Sequence, residues 1–468
     1  MRLIPIYTWN KSIKKFENST HKLSNQPWFQ GVLLLLCVVA AMLLANLPAT
    51  KTLYKDFLET TMQLHLSSPD GQINILFPRD MTVEKFINDI LMVFFFFTVG
   101  LEIKREIAYG ELSSPKKAML PVIAAFGGVV MPALIFTLVN HGTPAASGWG
   151  IPTATDIAFA VCILSVLGDK VPVSLKVFLT ALAIADDLIA ILVVALFYGG
   201  NINLVLLAIA LGVILLTILL RRLGEKGIWV YISLSIVVWA LFYYSGIHAT
   251  MSGVVMAFLI PTKPRYSKAY FFHKRAQYNA AIDEWDGHIS STAFPNGPQR
   301  HYLRELEKIS NGAMDMSYRV EHALSPWVNF LIMPIFALAN AGVEIADPSY
   351  FNVFRVDPAL GGAGMGIFFG LLLGKPIGIT LMSWLAIKCK VGAMPDKATW
   401  PMFFAVACLG GIGFTMSIFV DTLSFGDQPA DVMMQMRDAG KIAVLMGSVC
   451  AGILGSILIQ VVHKLGKK

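Results

Sequence analysis

The stretch ALAIADDLIAIL (181–192) sets two aspartates, Asp186 and Asp187, side by side in an apolar run long enough for a helix. No basic residue lies within a helical turn of the pair on either side. Holding one charge at the centre of a bilayer costs about 2.5–3.5 kcal/mol on insertion scales. Packing alone does not justify two such charges. An ionisable pair at membrane depth therefore reads first as an ion or proton path.

The rest of the chain supplies the membrane. Of 468 residues, 56% are hydrophobic and 14% charged, against about 25% charged in soluble domains. The mean hydropathy is +0.64. This composition predicts an all-α integral membrane protein made almost wholly of spans. The net charge of +7 and the pI near 9.0 would suit a nucleic-acid binder. The positive residues gather in alternate loops, however, as insertion requires, and no nucleic-acid motif accompanies them. The five cysteines, Cys37, Cys162, Cys389, Cys408 and Cys450, form no C-x-x-C pair and read as small hydrophobes. Basic residues from Arg2 to Lys22 precede an apolar run reaching Leu47, expected to be a first, uncleaved span rather than a signal peptide.

About twelve segments are long enough to cross: 27–47, 83–104, 118–140, 150–168, 172–198, 203–220, 228–244, 246–260, 323–342, 360–388, 401–424 and 434–463. The chain divides into an N-terminal segment 1–26, a membrane part 27–260 with spans 1–8, a polar segment 261–322 and a membrane part 323–468 with spans 9–12. Lys104, Arg105, Lys116, Lys117, Lys170, Arg221, Arg222, Lys226, Lys388, Lys390 and Lys397 fall in alternate loops, while 141–149, 199–202 and 421–433 carry no Lys or Arg. The positive-inside rule then puts both termini in the cytoplasm. The outside loop 48–80 holds strand-like QLHL (63–66) and INILF (73–77) around a Pro-Asp-Gly turn, which predicts a hairpin. Segment 261–322 is polar with both charge signs and fits either a flexible loop or a short helical insert.

Two spans are poor continuous helices. The fourth holds PTATDIAF (152–159), with Asp156 among Pro152, Thr153 and Thr155. The eleventh holds LGGIGFTMS (409–417), with three glycines in five residues. Broken backbone at membrane depth is tolerated where it lines a cavity or is buried in protein. For the eleventh span alone, a continuous helix with close-packing glycines is an equal alternative; Asp156 in the fourth shifts the balance. Facing N-terminal half-helices present positive partial charge, which an acid such as Asp156 suits. Facing C-terminal halves call for a cation, and Lys375 in GLLLGKPIGI (370–379) is the one Lys or Arg deep in the tenth span.

Adjacent helical residues point about 100° apart, so Asp186 and Asp187 face different neighbours. One can meet the broken helices and a water funnel while the other meets Lys375. Carboxylates are hard oxygen ligands for small cations. A site that takes either a cation or protons couples their opposite movements, which is antiport. Asp89 and Glu102 flank an apolar run in INDILMVFFFFTVGLEIKREI (87–107), and acids there can draw cations to a funnel mouth. Lys104 to Glu106 read equally as a solvated helix end. His248, early in the eighth span, reads first as a hydrogen-bonded packing residue.

Together these segments, with LKVFLTALAIADDLIAI, SGIHATMSGVV, LIMPIFALANAGV and GGIGFTMSIF, resemble the NhaA-type sodium/proton antiporters across nearly every span. Members of this family are inverted-repeat transporters with interrupted crossing helices. The resemblance implies that Asp187 is the main carboxylate for transported Na+ and Asp186 its partner, paired with Lys375. It implies that Thr155 and Asp156 sit at the helix crossing, and that Asp89 faces the site. Glu102, Glu106, His248, Glu321 and His322 match positions tied to the cytoplasmic funnel and pH response. It further implies electrogenic exchange of sodium or lithium for protons at the bacterial inner membrane, a homodimer formed through the outside hairpin, and no cofactor. Segment 261–322 is longer than the family's usual connection.

Two rivals make different demands. An intramembrane aspartyl protease needs a G-x-G-D pattern, and none occurs. A sodium-coupled organic-solute symporter of similar fold needs a cavity for its substrate, and only its substrate-dependent sodium uptake distinguishes it.

Overall fold

Backbone N–H and C=O groups in lipid have no water to bond, so each span must satisfy its own. The computed structural model meets this demand with helices. It describes residues 27–62, 64–67, 74–77, 81–200, 202–286, 297–345, 353–354, 361–426 and 428–466. The expected segment 1–26 and the Pro-Asp-Gly turn lie outside these residues.

In chain order, α1 spans Pro27–Asn46 and α2 Lys51–Glu59. A hairpin follows, with β1 at Leu64–Ser67 and β2 at Asn74–Phe77. It is antiparallel, with Leu64 opposite Phe77 and Ser67 opposite Asn74, close to the strands expected from sequence. Next come α3 (Val83–Tyr109), α4 (Pro115–Val139), a 3₁₀ helix at Pro144–Thr153, α5 (Ile157–Leu167), α6 (Val173–Phe197), α7 (Leu204–Arg222), α8 (Ile228–Ser245) and α9 (Thr250–Leu259). Segment 261–322 contributes α10 (Lys268–Asp286) and α11 (Gly297–Ala313). The chain ends with α12 (Met316–Asn340), α13 (Ala363–Lys388), α14 (Trp400–Leu409), α15 (Phe414–Leu423) and α16 (Ala430–Leu465).

Among the described residues, nine helices are long and apolar enough to cross a membrane, and two bent pairs bring the number to eleven. The apolar α9, ten residues long, stands where the eighth of the twelve expected spans falls and is shorter than a full crossing. The bent pairs are the 3₁₀ helix with α5, at 41°, and α14 with α15, at 49°. Pro152 and extended backbone at Ala154 and Asp156 break the first; Gly410 to Gly413 break the second.

The described part of the polar segment is a pair of packed helices, the helical one of the two expected alternatives. Two boundaries differ from expectation. The ninth span starts at Met316 rather than 323, because Asp315 caps it: its Oδ2 accepts the Tyr318 N–H at 3.2 Å. Glu321 and His322 therefore ride on a spanning helix. The 36 residues of α16 extend about 54 Å, more than the roughly 30 Å of a bilayer core, and the helix begins at Ala430 rather than 434.

Close backbone contact positions the lysine. Gly127 of α4 and Gly378 of α13 meet so tightly that a Cβ on either would overlap the other's carbonyl oxygen. Small residues allow such approach between spans. A π turn at Gly370–Gly374 leads directly into Lys375; such turns concentrate at functional sites.

Candidate functional site

Asp156 sits where the two broken helices cross. It is the N-cap of α5, and its Oδ1 accepts the Phe159 N–H at 3.3 Å. Its Oδ2 accepts the Thr415 N–H at 3.1 Å and the Thr415 hydroxyl. One carboxylate thus caps the N-termini of both α5 and α15, where unsatisfied N–H groups carry positive partial charge. Backbone joins the breaks as well: Asp156 N donates to Ile412 O at 2.6 Å.

The opposite pole is arranged around Thr155. Its Oγ1 lies 2.8 Å from Gly410 O, at the C-terminal end of α14, and 2.5 Å from Asp186 Oδ2. Lys375 Nζ donates to Thr155 Oγ1 at 2.9 Å and forms an ion pair with Asp186 Oδ2. The lysine is thus placed beside a helix C-terminus, where a cation is favoured. Lys375 is 0% exposed, Asp186 1%, Asp187 2% and Asp156 2%.

Asp187, the next residue on α6, leaves the helix about 100° from Asp186. Its Oδ1 is buried with no hydrogen-bond partner among the described residues, as is Asp186 Oδ1. Asp186, Asp156, Lys375 and Glu102 all lie within electrostatic range of it. No three His, Cys, Asp or Glu side chains converge as metal ligands among the described residues.

Nearer the basic loops, Arg105 gathers three acids. It pairs with Glu321, and its Nη2 stands 3.7 Å from Glu102 and 3.5 Å from Glu106. Lys104 is not a solvated helix end: it is buried, and its Nζ donates to the carbonyls of Ala257, Phe258 and Ile260. It caps the C-terminus of α9, whose last carbonyls have no partner within the helix.

Three residues named from sequence lie elsewhere. His248 sits before the N-terminus of α9 with Nε2 2.5 Å from Tyr198 O, while the Arg105 cluster lies by that helix's other end. His322 is exposed and stacks on Tyr318, ring centroids 5.7 Å apart. Asp89 accepts the Trp239 indole N–H on its carbonyl at 2.9 Å, and its carboxylate lies within range of Lys85. On α3 it is Glu102, thirteen residues further along, that lies within range of Asp187.

One buried acid escaped the sequence reading. Asp421 on α15 is 0% exposed, and both its carboxylate oxygens lack hydrogen-bond partners among the described residues. Gly440 of α16 makes room for it, and Arg437 and Lys441 of that helix lie within electrostatic range. The signal was available: Asp421 is the one acid in the apolar run FTMSIFVDTL. It stood too close to the expected loop 421–433 to be read as buried.

The family model described as Na+/H+ antiporter 1 matches residues 21–459. The chain belongs to this family. Its curated relatives bear the NhaA name. A Na(+)/H(+) antiporter NhaA 2 of Helicobacter hepaticus is 38% identical over 445 residues, covering 94% of each chain. An NhaA of Oleidesulfovibrio alaskensis is 44% identical over 377 residues, 80% of each chain. An NhaA of Helicobacter pylori is 41% identical over 438 residues, 93% of this chain and 94% of that one. The family is one of transporters rather than enzymes, and this member is a multi-pass membrane protein.

Proposed function

We propose that this NhaA-family protein exchanges sodium or lithium for protons by letting the cation and protons compete for Asp187 and Asp186. Asp187 is the first ligand: a buried carboxylate with an open oxygen is a hard donor for a small cation. Backbone carbonyls at the helix breaks, the Thr155 hydroxyl and water would complete the shell. Lys375 holds Asp186 while the site is without cation and releases it when the cation arrives. Asp156 keeps the two half-helices facing each other. Glu102, Glu106 and Glu321, held by Arg105, form the cytoplasmic approach and respond to pH.

The observation that carries this reading is the juxtaposition of a neutralised pair, Asp186–Lys375, with a second carboxylate, Asp187, whose Oδ1 is unpartnered at a helix crossing. Unequal numbers of protons and cations make the exchange electrogenic, and rocking of one half against the other exposes the site alternately. Placement in the bacterial inner membrane with both termini cytoplasmic, and dimerisation through the hairpin, belong to the same reading, as do roles in pH homeostasis and salt tolerance.

The test uses inside-out vesicles from cells lacking their own antiporters, with a proton gradient read by a quenched fluorescent amine. Sodium should restore fluorescence with the wild type and not with Asp187→Asn. Equal responses from both, at equal protein levels, would overturn the assignment.

A further inference from the structure

At the end of the bundle that carries Lys104 and Arg105, α11 and the chain that follows α9 border an open cavity of about 270 Å³ beside the α7–α8 loop and the start of α12. Five cationic side chains line it, Lys226, Lys263, Arg265, Lys308 and Arg319, and among the described residues no acid does. They come from four places: the α7–α8 loop, the strand of chain after α9, α11 and the first turns of α12. The volume falls just below the roughly 300–1,000 Å³ of pockets for drug-sized ligands, so a small occupant fits.

The walls are fixed by backbone contacts. Arg265 N and Tyr266 N both donate to Gly312 O, at 2.7 and 2.9 Å, clipping the post-α9 segment to α11. Lys226 Nζ donates to Pro264 O at 2.9 Å, and Arg319 Nη1 to Asn311 O at 3.1 Å. These bonds aim two of the cations while consuming one donor of each. The nearby acids are already engaged. Glu305 pairs with Lys308, Asp315 caps α12, and Glu225 accepts the Gly227 N–H at 2.6 Å. Lys226, Lys263, Arg265 and Arg319 have no ion pair among the described residues.

Like charges held around one hollow repel, and a multivalent anion relieves the repulsion while accepting several charge-assisted hydrogen bonds. We infer that this cavity is a binding site for a phosphate group, clamped between the insert and the membrane domain. Basic pockets at the membrane edge take lipid phosphates, and the same chemistry accepts free phosphate. The occupant would bridge the insert to the start of α12, where Arg319 stands two residues before Glu321. The inference holds whichever ion the protein carries.

The test measures thermal unfolding of the full-length protein in a non-ionic detergent. Inorganic phosphate is titrated against chloride at equal ionic strength, and short-chain phosphatidylglycerol against phosphatidylcholine. The comparison protein is the double variant Lys263→Gln/Arg265→Gln, whose changes are on the exposed surface. Saturable stabilisation of the wild type, with the apparent affinity weakened roughly tenfold or more in the variant, is the expected result, since two charge-assisted bonds to the anion are lost. A response to inorganic phosphate identifies a soluble source. A response to phosphatidylglycerol alone identifies a lipid headgroup. No saturable difference in either arm, or equal stabilisation of both proteins, would overturn the proposal.

Discussion

Lys375 and Asp186 meet with both side chains buried, so each charge is tolerated only because of the other. Removing one partner of a buried pair leaves an uncompensated charge and typically costs about 3–5 kcal/mol, whereas replacing both with neutral groups is often neutral or stabilising. Lys375→Ala should therefore lower the melting temperature of the purified protein markedly. Lys375→Met with Asp186→Asn should recover most of the loss. A double variant as unstable as the single one would show that the pair is not the source of the cost. Thr415 makes a second, separable contribution. Its hydroxyl donates to the Asp156 carboxylate between two helix N-termini, and hydrogen bonds to charged groups are worth about 1.5–3 kcal/mol. Thr415→Val should destabilise by roughly this amount, and Thr415→Ser by much less, in the same melting assay.

The broken helices depend on close contact between elements, and glycine positions report it. Gly378→Ala should wedge α13 from α4 and reduce the yield of folded protein, because the new methyl would meet the Gly127 carbonyl rather than a movable side chain. Gly212 on α7 has nothing within 4 Å of where its Cβ would stand; Gly212→Ala should be harmless or stabilising by about 0.5–1 kcal/mol. Equal yields from both variants would contradict this account of the α4–α13 contact. At this scale much was legible in the chain. Pro152 pointed to the first break, the glycines of 410–413 fitted either a second break or a close-packed helix until Asp156 shifted the balance, and Asp156 and Lys375 stood out as charges in apolar runs. From the residues alone, which aspartate meets Lys375 stayed open, because helical geometry says only that the two diverge. The cap that Lys104 gives α9, the distance of His248 from the Arg105 cluster and the burial of Asp421 all depend on which helices are neighbours. Composition and periodicity within a single span carry no such information.

For the whole molecule, the hairpin and the ion site make separate demands. If the hairpin joins two protomers, deleting 61–77 should give monomers in detergent by size-exclusion chromatography with light scattering, and a persisting dimer would refute that role. Exchange itself should survive the deletion, since the carboxylates and the broken helices belong to one chain. Competition also fixes the pH dependence. If protons and cation exclude each other at the same carboxylates, as proposed, lowering the pH must weaken sodium binding and raising it must strengthen binding until the carboxylates are fully ionised.

The most direct measurement is the sodium dissociation constant of the purified protein across a range of pH, for the wild type and Asp187→Asn. One displaced proton should change the wild-type constant about tenfold per pH unit on the acidic side, by mass action and linkage, and Asp187→Asn should abolish binding. A sodium affinity independent of pH, or one untouched by Asp187→Asn, would contradict exchange by competition at this carboxylate.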